Sequence, residues 1–250
     1  MRILLTNDDG YHAPGLAVLE AIAATLSDDV WIVAPAEEQS GTGRSLTITR
    51  PVRVRRFDER RFAVGGTPTD AVMMALATLM DGRPDLILSG VNRGANLAED
   101  VSYSGTVSAA MEGAFAGIRS VAMSQVYDKG EPGDDVSYAA AEAWGERVLR
   151  PLLAADWAPR TTVNVNFPGG DVKGIRVVRQ GLRDHGRVKL DRRVDPRGFE
   201  YHWLGLQDVP HDPEPGTDLH AIANGYVSVT PLHLDLTHDR SLALFAEVLA

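Results

Sequence analysis

Residues 1–26 read MRILLTNDDGYHAPGLAVLEAIAATL, and the fold is decided there. Arg2 to Thr6 is an apolar run of strand length, and from Pro14 onward Leu16, Leu19, Ala23 and Leu26 recur at helical spacing, so the stretch is a strand, a loop and a helix. The loop carries Asn7, Asp8, Asp9 and Gly10. Adjacent carboxylates repel, and the remedies are protonation, exposure or a bound cation. Asn, Asp and Gly are also common turn formers, so the tetrapeptide reads as a turn or as a site. Its place directly after the first strand favours the site, because ligands of open α/β sheets bind beyond the carboxyl ends of the strands.

Outward from this unit the pattern repeats. DVWIVAP (29–35) is a second strand, followed by the polar, glycine-containing loop AEEQSGTGRS. SLTITR, VRVRRF and RFAVGG then read as three short strands in a hairpin-like excursion. TPTDAVMMALATLM is a helix, with Thr67 as N-cap, Pro68 at the first position and Asp70 three residues past the cap. PDLILSG is a third strand, VNRGANLAEDVSYSG a long loop, TVSAAMEGAFAG a helix of small residues, and SVAMSQV a fourth strand. After a helix from Ala139 to Leu153 come TTVNVNFP and IRVVRQG, a charged stretch punctuated by prolines from Arg183 to Gly216, a short helix and strand in TDLHAIANGYVSVTPL, and a terminal helix in RSLALFAEVLA. Strands and helices alternating in this way predict an α/β fold: a mostly parallel sheet with helices on both faces.

The whole chain, 1–250, reads as one domain, with a core over about 1–180 plus 225–250 and a projecting arm over about 183–216. No apolar run approaches the roughly 20 residues that a bilayer requires, so no membrane partner is expected. A net charge of −9 argues against a broad basic face and so against long nucleic acid as a partner. With no cysteine there is no disulfide framework and no thiolate metal site. Arg2 is the one basic residue before the first apolar run, which lacks the layout of a secretory signal; the expected compartment is the cytoplasm.

The strand ends supply the candidate chemistry: Asn7, Asp8 and Asp9 after the first strand, Ser40 after the second, Asn92 and Asn96 after the third. All offer oxygen, which suits a hard ion such as Mg²⁺, Mn²⁺ or Ca²⁺. Two phosphate signatures fail in the second loop. A P-loop would need glycine at Glu38 and lysine at Arg44, and the dinucleotide fingerprint would need glycine at Leu46. Ser104, Gly105 and Thr106 open a helix, whose free N–H groups and positive dipole end can hold a phosphate; ordinary capping is the other reading, and both can be true at once. His12, His185, His202, His211, His220, His233 and His238 form no HExxH pair, and there is no Gly-x-Ser-x-Gly elbow for a serine hydrolase.

Taken in order, ILLTNDDGYHAPG, QSGTGRSLT, GTPTDAV, SGVNRGANLAEDVSYSGTVSAAMEGAF, VNVNFP, DPRG and GYVSVTPLHLDLT resemble the survival protein SurE family of metal-dependent nucleotidases nearly end to end. The resemblance implies a Rossmann-like core, and one divalent cation, Mg²⁺ or Mn²⁺, held by Asp8, Asp9, Ser40 and Asn92. It assigns phosphate binding to Ser104, Gly105 and Thr106 with Asn96 nearby, and a catalytic role to Asp8 and Asp9. The implied activity is hydrolysis of nucleoside monophosphates at the 5′ or 3′ position, with short polyphosphates as further substrates. The implied assembly is a homodimer or homotetramer built partly by C-terminal arms. Ala71 departs from the pattern, standing where the family often has cysteine, at a position read as packing.

Two other functions compete. An aspartyl-nucleophile phosphatase ends its first strand in Asp-x-Asp, but the residue two before Asp9 is Asn7. A Rossmann-type module could hold a nucleotide without hydrolysing it, and the missing glycine fingerprint counts against the dinucleotide version.

Overall fold

The parallel sheet begins with β1 (Arg2–Thr6), which pairs with β2 (Asp29–Pro35) on one side. In this computed structural model, which describes residues 1–127, 136–183, 188–206 and 212–250, β3 (Val54–Arg56) and β4 (Arg61–Val64) extend that side, β4 parallel to β2 and β3 antiparallel at the edge. On the other side of β1 lie β5 (Leu86–Arg93), β6 (Arg119–Gln125) and β7 (Thr161–Phe167), all parallel. Across the sheet the parallel strands run β4-β2-β1-β5-β6-β7. That is the doubly wound order, and the chain reverses its direction of travel between β1 and β5. β11 (Val227–His233) lies antiparallel to β7, and β8 (Ile175–Val177), parallel to β11, forms the far edge.

The period of two along β1 sends its side chains to two cores. Ile3 and Leu5 pack with α1 (Pro14–Ala24) and α4 (Ala139–Ala154), while Leu4 packs on the opposite face with α2 (Pro68–Met74) and α3 (Gly105–Phe115). The cap expected at α2 is present in full: Asp70 N–H donates to Thr67 Oγ1 at 3.1 Å and Thr67 N–H donates to Asp70 Oδ2 at 2.8 Å. A wider π-turn over Ala75–Leu79 carries that helix to its expected end. Ala71 is fully buried in the α2 core, in keeping with a packing position. At the start of α1, a Cβ on Gly15 would lie 1.9 Å from the Val91 carbonyl oxygen, so glycine lets this helix sit directly on the end of β5.

Two expectations are corrected. SLTITR is not a strand: Ile48 is 84% exposed, and the segment is held by Thr47 N–H donating to Asp70 Oδ1 and Thr67 Oγ1 donating to the Ser45 carbonyl instead of by a ladder. Asn92 lies on β5, because the strand continues past Gly90 to Arg93. The described part of the charged stretch contains an antiparallel hairpin, β9 (Val188–Val194) and β10 (Glu200–Leu206), which forms a sheet of its own. Its turn is set by Asp195, whose Oδ1 accepts from the N–H groups of Arg197 and Phe199. α5 (Asp218–Ala223) precedes β11, and the terminal α6 (Asp239–Leu249) buries none of its residues. His185 and His211 lie outside the described residues; His12, His202, His233 and His238 are exposed.

Candidate functional site

Asp8 and Asp9 follow β1 at the point where the sheet reverses, and the alternation of the strand sends them to different neighbours. Asp8 continues the row of Leu4 and Thr6 toward α2 and α3, and it is buried at 4% exposure. Its Oδ1 accepts from the Thr106 hydroxyl, and the Thr106 backbone also bonds it. A Cβ on Gly105 would fall 2.8 Å from the Asp8 Cβ and 3.0 Å from the Pro68 Cγ. The amino-terminal ends of α2 and α3 therefore converge on this carboxylate, and only glycine at 105 allows it.

Asp9 turns to the other side. Its Oδ2 accepts from the Arg93 N–H at 3.0 Å, tying it to the residue after Asn92. A cavity of about 300 Å³ opens beside it, lined by Pro14, Glu38, Arg93 and Tyr138 as well as Asp9. Asn7 donates from Nδ2 to the Gly10 carbonyl at 2.8 Å, and its buried Oδ1 has no hydrogen-bond partner among the described residues.

The electrostatics follow from burial. Desolvation pushes Asp8 up to about 6, and the charge of Asp9 adds to the rise while the hydrogen bonds from Thr106 oppose it. Asp9 is raised as well, chiefly by burial, against the Arg93 N–H and guanidinium. Tyr138 goes to about 12 through burial and the nearby Asp9.

The other candidates are held as follows. Asn92 donates from Nδ2 to the Gly94 carbonyl at 2.9 Å, which fixes the amide at the end of β5. Ser104 caps α3, its Oγ accepting from the Val107 N–H at 3.1 Å, so the capping reading is correct for this side chain. Asn96 is buried and donates from Nδ2 to Ser124 Oγ at 2.9 Å. Ser40 is exposed and donates to Glu38 Oε1 at 2.9 Å. The Ser40 loop is nonetheless stapled to the site at both ends: Gln39 N–H donates to the Asp8 carbonyl at 2.8 Å, and Gly43 N–H to the Tyr103 carbonyl at 3.0 Å.

The donor set fits a hard cation. Among the described residues no three His, Cys, Asp or Glu side chains come together, so an ion here would rest on two carboxylates and neutral oxygens. The buried Asn7 oxygen without a partner lies next to the pair in sequence, and both acids are raised, as expected of carboxylates whose charge the protein itself does not balance. Sequence reading missed Glu38, Arg93 and Tyr138, which sit on a loop, a strand end and a helix start that meet only in the fold. Arg93, next to Asn92, was the one with a local signal.

Comparison with known proteins gives a consistent result. The family model described as survival protein SurE matches residues 3–187. The 5′-nucleotidase SurE of Rhizorhabdus wittichii is 66% identical over 247 residues, 97% of each chain. That of Erythrobacter litoralis is 56% identical over 251 residues, 99% of each. The crystal structure of the SurE protein from Aquifex aeolicus superimposes with a TM-score of 0.83 at 38% identity, covering 100% of both chains.

Proposed function

The chain belongs to the survival protein SurE family, and from that premise we propose that it is a metal-dependent phosphoric monoester hydrolase, a 5′-nucleotidase releasing inorganic phosphate from nucleoside monophosphates. The observation that supports this reading most is the pairing of Asp8 with the start of α3. An acid pair that suits a cation and a helix start that suits a phosphate meet at the switch point of the sheet.

Asp8, Asp9, Ser40 and Asn92 would hold one Mg²⁺ or Mn²⁺, which when bound supplies charge withdrawal from a phosphoryl oxygen and a more acidic water. The remaining work belongs to the chain. Gly105 offers its backbone N–H to a phosphate oxygen beside Thr106, which also bonds Asp8, Ser104 holds the first turn in shape through its cap, and Asn96 adds an amide. Asp8 or Asp9 accepts the proton of the attacking water. Asn7 stands where an aspartyl nucleophile would be, so water attacks phosphorus directly and no phosphoenzyme forms. The cavity beside Asp9 gives the leaving nucleoside room. Phosphate at the 3′ position and short polyphosphates are further substrates of the same site.

The protein acts as a homodimer or homotetramer in the cytoplasm. Assembly uses the arm at about 183–216, of which residues 184–187 and 207–211 lie outside the described structure. No helix among the described residues is long and apolar enough to cross a membrane.

The test is phosphate release from nucleoside 5′- and 3′-monophosphates and a short polyphosphate before and after exhaustive chelation. Activity should fall on the order of 10³-fold, the equivalent of several kcal/mol of charge stabilisation, and return with Mg²⁺ or Mn²⁺. Full activity in the stripped protein would sink the metal-dependent reading.

A further inference from the structure

The loop that runs from Gly94, after β5, to the turn at Ser104 has side chains where most loops have backbone partners. Asn96 N–H donates to Asn166 Oδ1 at 2.8 Å, and the Asn96 carbonyl accepts from Asn164 Nδ2 at 2.8 Å and Asn166 Nδ2 at 3.1 Å. Two residues on, Ala98 N–H donates to Asp218 Oδ2 at 2.8 Å and its carbonyl accepts from Gln180 Nε2 at 2.8 Å. Ala98 sits at φ +53°, in the left-handed region that non-glycine residues seldom occupy. It is held there at both of its polar ends.

The holding groups are themselves fixed. Asp218 is fully buried, and its Oδ1 accepts from the N–H groups of Gly181 and Leu219 at 2.8 and 2.7 Å. Asn164 and Asn166 are fully buried on β7, two residues apart and so on one face of the sheet. From Ala98 the chain passes through a 3₁₀ turn to Asp100, whose carbonyl accepts the Ser104 N–H at 3.0 Å, and α3 begins at the next residue. The geometry of the α3 start is thus referred, through a few bonds, to side chains 68 to 120 positions further along the chain.

We propose that Asn164, Asn166, Gln180 and Asp218 are positioning residues of the phosphate site. They clamp the backbone of Asn96 and Ala98, and so set where the Asn96 amide and the start of α3 at Gly105 and Thr106 stand. None of them touches the substrate. The inference rests on the phosphate assignment made under Proposed function, and it adds that phosphate affinity is controlled from the C-terminal half of the chain while the proposed cation ligands Asp8, Asp9, Ser40 and Asn92 are left alone.

The experiment compares Gln180→Ala, Asp218→Asn and Asn166→Asp with the wild type. Measured quantities are KM and kcat for a nucleoside 5′-monophosphate, the inhibition constant of inorganic phosphate, the affinity for Mn²⁺ by spin resonance, and the melting temperature. Asp218→Asn sets an amide NH₂ against N–H groups that the carboxylate accepts from, and Asn166→Asp sets a carboxylate oxygen against the Asn96 carbonyl, so KM and the phosphate inhibition constant should rise about tenfold. Gln180→Ala removes one bond from an exposed side chain, folds in any case, and should raise both about threefold. Mn²⁺ affinity should stay within about twofold throughout. A wild type that neither hydrolyses the nucleotide nor is inhibited by phosphate overturns the parent reading and the clamp with it. A wild type that does both, while Gln180→Ala and every folded partner variant keep its phosphate inhibition constant, overturns the clamp alone. A loss of melting temperature with unchanged phosphate inhibition counts the same way, as scaffolding without a positioning role.

Discussion

The rim of the sheet at β1 and β5 and the C-terminal segments are inverted in opposite senses. At the rim polar groups are buried: Asp8 at 4% exposure, Asn92 at 9%, Thr106 at 0%. On the hairpin and α6 large apolar groups are open: Trp203 at 63%, Leu204 at 77%, Leu249 at 85%. Buried polar and exposed apolar groups are the two arrangements that single-chain packing does not favour, so both regions answer to something beyond packing. The difference lies in what each asks for. The rim is built to hold charge, with donors and glycine contacts fixed to fractions of an ångström, whereas the outer segments offer area with few defined partners.

The sharpest break of that comparison is Gly105→Ala. The added methyl would meet the Asp8 Cβ, its Oδ2 at 2.9 Å and Pro68, so the α3 start must retreat from the carboxylate. Displacing a catalytic group by about 1 Å costs on the order of 10²-fold, and kcat/KM should fall by about that factor with the fold retained. Near-wild-type kinetics would show that the close approach is only a packing detail. No alanine substitution on β9, β10 or α6 should lower turnover per assembled subunit comparably.

A second test uses the charge itself. Asp8 in the folded protein lies at about 6 against an ordinary 3.8, so folding favours its protonated form. The sign is therefore opposite to that of a salt-bridged acid: in the metal-free protein the cost of burying Asp8 is absent below about pH 4 and grows as pH rises through the window up to about 6. In full the shift is worth about 3 kcal/mol. Denaturation of the metal-free protein from pH 4 to 7 should show that loss as the difference between wild type and Asp8→Asn, and added Mn²⁺ should reverse it in the wild type. An unchanged pH profile in Asp8→Asn would mean that Asp8 is hydrated and the rim is not inverted.

These two regions also differ in how far the sequence discloses them. The carboxylate pair and the α3 cap are local signals: an apolar run of strand length ending in Asp8 and Asp9, and a Ser-Gly-Thr opening a helix of small residues. SLTITR carried an equally local signal, β-branched and alternating, and it misled, because Ser45 and Thr47 spend their bonds on Thr67 and Asp70 and leave no ladder. VNVNFP is the instructive middle case. Alternating valine and asparagine is the mark of a strand with one wet face, yet Asn164 and Asn166 are fully buried, and their polar face meets a loop about 70 residues earlier in the chain. Local pattern gives the strand; which groups fill the polar face depends on topology, which no window of sequence contains.

The smallest effect is expected where exposure is greatest, and it tests the other half of the comparison. Trp203, on the hairpin, and Phe245, on α6, are 63% and 60% exposed, so a change to serine removes little contact from the single chain. Surface substitutions of this kind stay within about 0.5 kcal/mol. Measured at dilution, where any assembly has come apart, Trp203→Ser and Phe245→Ser should therefore unfold at the wild-type denaturant midpoint. If these faces are interfaces between copies, the same variants should lose mass by light scattering at concentrations where the wild type is a dimer or tetramer, because aromatic side chains dominate the energy of association. The two readings separate cleanly. A large fall in the midpoint at dilution would make these aromatic groups part of the fold of one chain, while a wild type that scatters as a monomer throughout would remove the arm from assembly and leave the rim as the one region whose inversion has a use.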